Sequence, residues 1–220
     1  VEPVDAAIAL PRADALASGG EHLGILPQQA RDEPVQLDAP LLSDPVRVHA
    51  GIVAGAQVAA LAGPQQVRFE TTLGAFTVEV DPVRAPLTAA SFLQYVNAQH
   101  YDGTIFHRVI GNFVIQGGGY LPDGAEKAVR GGVPNESGNG LSNRRGTVAL
   151  ARTGDPHSGT SQFYVNVADN IALDPSPARW GYAVFGKVVK GMDVVNSIRA
   201  VRTTSAGPFR DVPAEAVTIE

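Results

Sequence analysis

Phe106-His107-Arg108-Val109-Ile110-Gly111-Asn112-Phe113-Val114-Ile115-Gln116-Gly117-Gly118-Gly119 sets one permanently charged guanidinium inside an apolar, β-prone run. An arginine is rarely buried without a partner, so Arg108 in a strand-like stretch marks a candidate site. The run reads as two short strands, Thr104 to Val109 and Phe113 to Gln116.

Outward from this stretch, the chain keeps the same β-rich texture. Val67 to Thr72 and Ala75 to Val80 predict a hairpin turning at Leu73-Gly74. Pro86 opens a helix with Ala89, Phe92, Leu93 and Val96 on one face. Thr147 to Arg152, Gln162 to Asn166 and Ala183 to Val189 are further strands. Met192 to Arg199 is a helix with Met192, Val195 and Ile198 inward, and Val217 to Ile219 is expected to close the sheet. Many short strands with two helices make a β-barrel or sandwich.

The first third of the chain is different. Residues 1–66 hold no Phe, Tyr or Trp and carry 3 Lys and Arg against 8 Asp and Glu, so the net charge of −5 resides there. Without aromatics this segment is a poor candidate for an independent core, and Pro11, Pro27, Pro34, Pro40, Pro45 and Pro64 divide it into short pieces. It reads as an N-terminal arm preceding a domain over 67–220, with a candidate short helix at 11–18 and a second at 45–61, which Gly51 and Gly55 disfavour and where Val46-Arg47-Val48 would also suit a strand. The arm is expected to pack on its own domain or to exchange with a second copy, giving a monomer or an arm-mediated dimer. Ala39-Pro40 and Gly63-Pro64 within it are potential pseudo-substrates.

Composition excludes several classes. The acidic balance offers nothing to nucleic acid or an anionic membrane, and no apolar run approaches the ~18 residues of a transmembrane helix. With no cysteine there is no disulfide, thiol nucleophile or thiolate metal site; this absence suits an oxidising compartment. Val1 opens the chain and Ile8-Ala9-Leu10 is too short for a signal-peptide core, so the expectation is a mature or trimmed chain. No serine sits in a Gly-x-Ser-x-Gly elbow, and no two of the five histidines have zinc-site spacing. Gly117-Gly118-Gly119 lacks the Lys-Ser/Thr and the following helix of a phosphate loop. No metal or cofactor is expected.

Several blocks downstream share one resemblance. Asn135-Glu136, Asn139-Gly140-Leu141, Arg145 to Thr153, Ser161-Gln162-Phe163-Tyr164-Val165-Asn166, Ala168-Asp169-Asn170, Leu173-Asp174 and Gly181 to Val195 follow the opening run in order. Together they resemble the cyclophilins, a family of peptidyl-prolyl cis-trans isomerases, in the flavour of bacterial periplasmic or exported members. The resemblance spans about 150 residues, from Val67 to the C-terminus.

It implies a mainly β fold, an eight-stranded antiparallel barrel capped by two helices, with a substrate groove on its outer face. It implies that Arg108 is catalytic and that Gln116 binds substrate backbone and helps hold the arginine. Phe113, Val114, Tyr164 and Leu173 would form the proline pocket. Ala151, Arg152 and Gln162 would line the neighbouring groove, with Tyr182 and His107 at its edge. Partners would be proline-containing polypeptides. Trp180 is expected to pack structurally, away from the pocket.

Four residues at three places depart from the family's pattern. Gly111-Asn112 replaces the usual Pro-Gly, so a more mobile loop is expected before Phe113. Val114 replaces a common Met, which trims the pocket floor. Ala172 stands where the family carries an aromatic that packs against cyclosporin, so weak or no cyclosporin binding is expected. The competing reading is a peptide-binding or chaperone module with incidental isomerase activity.

Overall fold

The computed structural model describes residues 63–220. The helices read at 11–18 and 45–61 and the arm's potential pseudo-substrate Ala39-Pro40 lie outside the described residues. Nine strands and two helices follow in order. They are β1 (Gln65–Thr71), β2 (Gly74–Val80), α1 (Pro86–Asn97), β3 (Phe106–Val109), β4 (Val114–Gly117), β5 (Thr147–Leu150), β6 (Phe163–Asn166), β7 (Val184–Lys190), α2 (Met192–Arg199), β8 (Thr203–Ala206) and β9 (Phe209–Pro213). Among the described residues no helix is long and apolar enough to cross a membrane.

The first seven strands form one antiparallel sheet, ordered β1-β2-β7-β5-β6-β4-β3. Its two edges are tied through the C-terminal segment. Phe106 N donates to Val217 O at 2.9 Å and Ile219 N to Thr104 O at 2.8 Å, beside β3. On the other side Thr72 N donates to Thr218 O at 3.1 Å and Glu220 N to Glu70 O at 2.9 Å, beside β1. Residues 217–220 thus take the eighth position, and the curled sheet has no free edge there. The hairpin β8–β9, which the sequence pattern did not show, packs over β3.

Local chemistry explains the elements. The β1–β2 turn places Gly74 at φ +117°, a conformation that L side chains rarely adopt. Pro86 starts α1, where its missing N–H costs nothing. The Glu136 carboxylate accepts from Leu87 N (3.0 Å), Thr88 N (2.8 Å) and Thr88 Oγ1 (2.7 Å). It therefore meets both the free amides and the positive end of the helix dipole. The buried face of α1 is Thr88, Ala89, Phe92 and Tyr95, with Leu93 and Val96 only partly buried. In α2, Val195 and Ile198 are buried and Met192 packs against the core from a partly buried position.

Strand alternation sorts side chains onto two faces. The inner face gathers Phe69, Phe76, Phe106, Ile115, Val148, Phe163, Val165 and Phe185 against Phe92 of α1. Its rings are in contact, with Phe92 and Phe185 centroids 4.9 Å apart and Phe69 and Phe76 5.1 Å apart. The outer face carries a second, smaller cluster: Val114, Ala149, Ala151, Tyr164, Leu173, Tyr182 and Val184.

Candidate active site

One irregularity aims Arg108. Simple alternation would send Phe106 and Arg108 to the same side of β3. Instead Phe106 pairs with Gly117 and Arg108 with Gln116, so His107 is an extra residue in the ladder. This bulge keeps Phe106 in the core and turns Arg108 to the outer face. There the pairings Arg108–Gln116, Gln116–Tyr164 and Tyr164–Ala149 run across four neighbouring strands. Side chains far apart in sequence become adjacent in one row.

Three residues of this row, Arg108, Gln116 and Tyr164, line an open pocket together with Phe113, Val114, Leu173 and Tyr182. Phe113 enters from the β3–β4 turn, which closes through Phe113 N to Ile110 O at 2.9 Å. The turn is further held from α2, where Arg199 Nη1 donates to Gly111 O at 3.0 Å. Leu173 comes from a single 3-10 turn, Ile171–Leu173, and Tyr182 N donates to Leu173 O at 3.0 Å. The walls are apolar and the polar groups few, as in most small-ligand pockets.

The Arg108 guanidinium carbon lies 5.8 Å from the Phe113 ring centroid. Its Nη1 is buried without a hydrogen-bond partner, and so is Oε1 of the fully buried Gln116. Gln116 Nε2 donates to Gln162 Oε1 at 3.0 Å, so its amide engages Gln162 and not the arginine. Gln162 lies against Gly119, where a Cβ would stand 2.6 Å from Gln162 Cγ, so this approach requires glycine.

The other residues singled out in the sequence surround the pocket without lining it. Ala151 is buried in the outer cluster. Arg152 lies over the Tyr182 ring at 4.4 Å and donates to the carbonyls of Gly181 (3.2 Å), Thr153 (2.8 Å) and Trp180 (2.9 Å). It staples the loop carrying Tyr182 to the end of β5. Trp180 is about half exposed and sets its ring 5.3 Å from His157, outside the pocket. His107 is buried, with Tyr120 4.8 Å and Phe209 6.4 Å away. Burial first, then the neighbouring Arg108 charge, lower its pKa to about 4, against a hydrogen bond with the Ile105 backbone. His107 is therefore neutral at physiological pH.

A layer of polar residues behind the pocket escaped the sequence reading. Asn143, Asn166 and Asn170 are buried and join Asp174 to Tyr164 by side-chain hydrogen bonds. They come from a Gly-rich loop, a strand end and a loop, so no periodicity links them. Asn166, Asn170 and Asp174 stand inside the blocks quoted above, whereas Asn143 falls between them.

A curled antiparallel sheet closed through residues 217–220, with an apolar pocket and a half-buried guanidinium on its outer face, defines a barrel protein with a binding site on its outside. Sequence comparison sharpens this. The model of the family described as "Cyclophilin type peptidyl-prolyl cis-trans isomerase/CLD" matches residues 66–220. The chain is 50% identical over 157 residues to a peptidyl-prolyl cis-trans isomerase of Streptomyces antibioticus, covering 70% of this chain and 95% of that protein. It is 48% identical over 157 residues to peptidyl-prolyl cis-trans isomerase B of Escherichia coli (strain K12), covering 70% and 96%. The crystal structure of a cyclophilin type isomerase of Cryptosporidium parvum superposes with a TM-score of 0.59 at 25% identity, covering 71% and 94%. The chain belongs to the cyclophilin-type peptidyl-prolyl cis-trans isomerases and is an enzyme of that activity.

Proposed function

We propose that Arg108 lowers the barrier to rotation about X-Pro bonds in polypeptide substrates while Phe113, Val114, Tyr164 and Leu173 grip the proline ring. The observation that carries this reading is the buried, unpartnered Nη1 of Arg108 at the edge of an apolar pocket. A peptide bond resists rotation by roughly 18–20 kcal/mol because nitrogen shares its lone pair with the carbonyl. For X-Pro the two end states differ by only about 0.5–1 kcal/mol, so the barrier is the whole problem. No bond breaks, so no nucleophile or base is needed.

As the bond twists, the lone pair localises on nitrogen and becomes an acceptor. A guanidinium N–H aimed there gains strength only in the twisted state, which is differential transition-state binding. Arg108 remains charged at every relevant pH and has a rigid fork of donors. Gln116 Oε1, buried without a partner, suits a backbone N–H of an extended substrate. The Cryptosporidium parvum enzyme has also been solved in the presence of the dipeptide Ala-Pro, which supports the same class of substrate here. Arg108→Ala, assayed on an Ala-Pro peptide, is expected to lose on the order of 10²–10³ in kcat/KM. Near-wild-type turnover would overturn the assignment and favour a binding or chaperone module.

The cellular role follows as assistance to folding of exported proteins, in the periplasm or beyond. The absence of cysteine supports an oxidising compartment; recovery from the cytosolic fraction of its host would remove this placement. Cyclosporin binds weakly on this reading, since Ala172 gives the exposed start of the 3-10 turn no aromatic surface. Nanomolar affinity by calorimetry would contradict it.

A further inference from the structure

The polar layer behind the pocket has a definite logic of donors and acceptors. Asp174 Oδ1 accepts from Asn143 N at 2.7 Å and from Asn143 Nδ2 at 2.9 Å, while Oδ2 accepts from Ser142 Oγ. A carboxylate only accepts, so it dictates which end of the Asn143 amide faces it. Oδ1 of Asn143 is thereby turned toward Tyr164, whose hydroxyl donates to it at 2.7 Å, and toward Asn166 Nδ2 at 3.2 Å. Burial raises the Tyr164 hydroxyl well above its ordinary pKa, with Tyr182 and Asp174 adding to the effect, so it stays a donor.

The same asparagine reaches the other walls. Its main-chain oxygen accepts from Asn170 N at 2.7 Å, just ahead of the turn that carries Leu173. Its Nδ2 lies 3.4 Å from the Tyr182 carbonyl. Asn170 Nδ2 donates to Asn166 Oδ1 at 2.7 Å and to the Phe113 carbonyl at 2.8 Å. Fully buried Asn143 thus bonds Tyr164 and Tyr182 directly, and it reaches the Phe113 carbonyl and the Leu173 turn through Asn170.

We infer that Asn143 and Asp174 are positioning residues of the proline pocket: Asp174 orients the Asn143 amide, and Asn143 sets Tyr164 and the Leu173 turn against the ring. The inference rests on the reading of this pocket as the prolyl site. Burial alone would raise the Asp174 pKa, but hydrogen bonds from Ser142 and Asn143 and the Arg144 charge outweigh it and hold the carboxyl below its usual range. The orienting charge persists wherever the enzyme is folded and active.

The test separates KM from kcat on an Ala-Pro peptide, using the full chain. Asp174→Asn keeps the shape but turns an NH₂ toward neighbouring donors. KM should rise about five- to tenfold, a part of the worth of one charge-assisted hydrogen bond because the effect reaches the ring through Asn143 and Tyr164, with kcat within about twofold. Tyr164→Phe should raise KM about two- to threefold by the loss of one neutral bond. The double variant should match Asp174→Asn alone, because both changes cut one chain of contacts. KM effects that multiply, or a lowered Tm with unchanged KM, would overturn the inference. Should Asp174→Asn not fold, Ser142→Ala removes one bond to the same carboxylate and should show the same coupling to Tyr164→Phe; independent effects again defeat it. Failure of Arg108→Ala to lose activity is a separate outcome, since these ratios report the pocket and not the guanidinium.

Discussion

The inner face of the sheet brings ring against ring, whereas the outer face over β3, β4 and β6 leaves polar atoms buried without partners. Among the described residues, the buried unpartnered side-chain atoms are His107 Nδ1, Arg108 Nη1, Gln116 Oε1 and Ser161 Oγ. Two of these residues line the pocket, and the other two are the chain neighbours of Arg108 and Gln162. Native proteins keep such atoms few because each costs about 1–3 kcal/mol. Their concentration at one place marks where stability yields to function.

The largest test of this contrast sets Phe163 against Arg108. Phe163 is fully buried, its ring within 5.2 Å of Phe69 and 5.4 Å of Tyr101 by centroid. Phe163→Ala should cost about 3–5 kcal/mol of stability, read by denaturant unfolding, while the folded fraction keeps near-normal kcat. Arg108→Ala should behave in the opposite way. Its turnover falls by the two to three orders of magnitude expected for a transition-state donor, and its unfolding free energy stays within about 1 kcal/mol. A strongly destabilised but active Arg108→Ala would erase the distinction between the faces.

Much of the inner face was legible from sequence because burial there follows period. Ile115, Val148, Phe163 and Phe185 fall on alternating positions of runs that read as strands, and Val195 and Ile198 on one helix stripe. On the outer face only Arg108 stood out from the residues themselves, as a charge in an apolar run; its neighbours were legible by resemblance. Nothing in a period-2 pattern reveals that His107 is an extra residue, because a bulge is defined by the partner strand. Asn143 was invisible for a similar reason. Its partners Tyr164, Asn166, Asp174 and Tyr182 lie 21, 23, 31 and 39 residues away. The β8–β9 hairpin was missed because its first strand, Thr203–Ala206, is exposed throughout and carries no apolar alternation.

A smaller effect concerns His107, which sits between the two regimes. Its pKa is lowered to about 4, by burial first and then by Arg108, against ~6.5 in the unfolded chain. Between those values the unfolded state holds the proton and the native state does not, so acid favours unfolding. Wild-type stability should fall by up to ~1.4 kcal/mol per pH unit as pH drops from about 6.5 toward 4. His107→Phe, which keeps a ring against Tyr120 and Phe209, should remove most of that slope in urea titrations. Some remains, because burial also lowers His100, with Lys127 and Arg130 adding to it against its bond to Gly118. Wild-type kcat should be flat from about pH 5.5 to 8, as His107 stays neutral and Arg108 charged. An unchanged slope in His107→Phe would mean that the ring is not held neutral in the native state.

Gln116→Met asks whether the outer face really trades stability for function at a single side chain. Gln116 is fully buried, donates one hydrogen bond to Gln162 and leaves Oε1 unpartnered. Methionine fills similar volume with no polar atom. It gives up a net contribution of about 1 kcal/mol from the bond and removes an unsatisfied acceptor of similar cost. Gln162 is only partly buried, so its freed oxygen can turn to water. Stability should therefore stay within about 1 kcal/mol of wild type or rise slightly. Activity should not follow it. If Gln116 Oε1 accepts from substrate backbone, kcat/KM should fall about tenfold, equivalent to one lost hydrogen bond of ~1.4 kcal/mol. A variant both less stable and fully active would place Gln116 with the inner core, as a residue kept for packing alone.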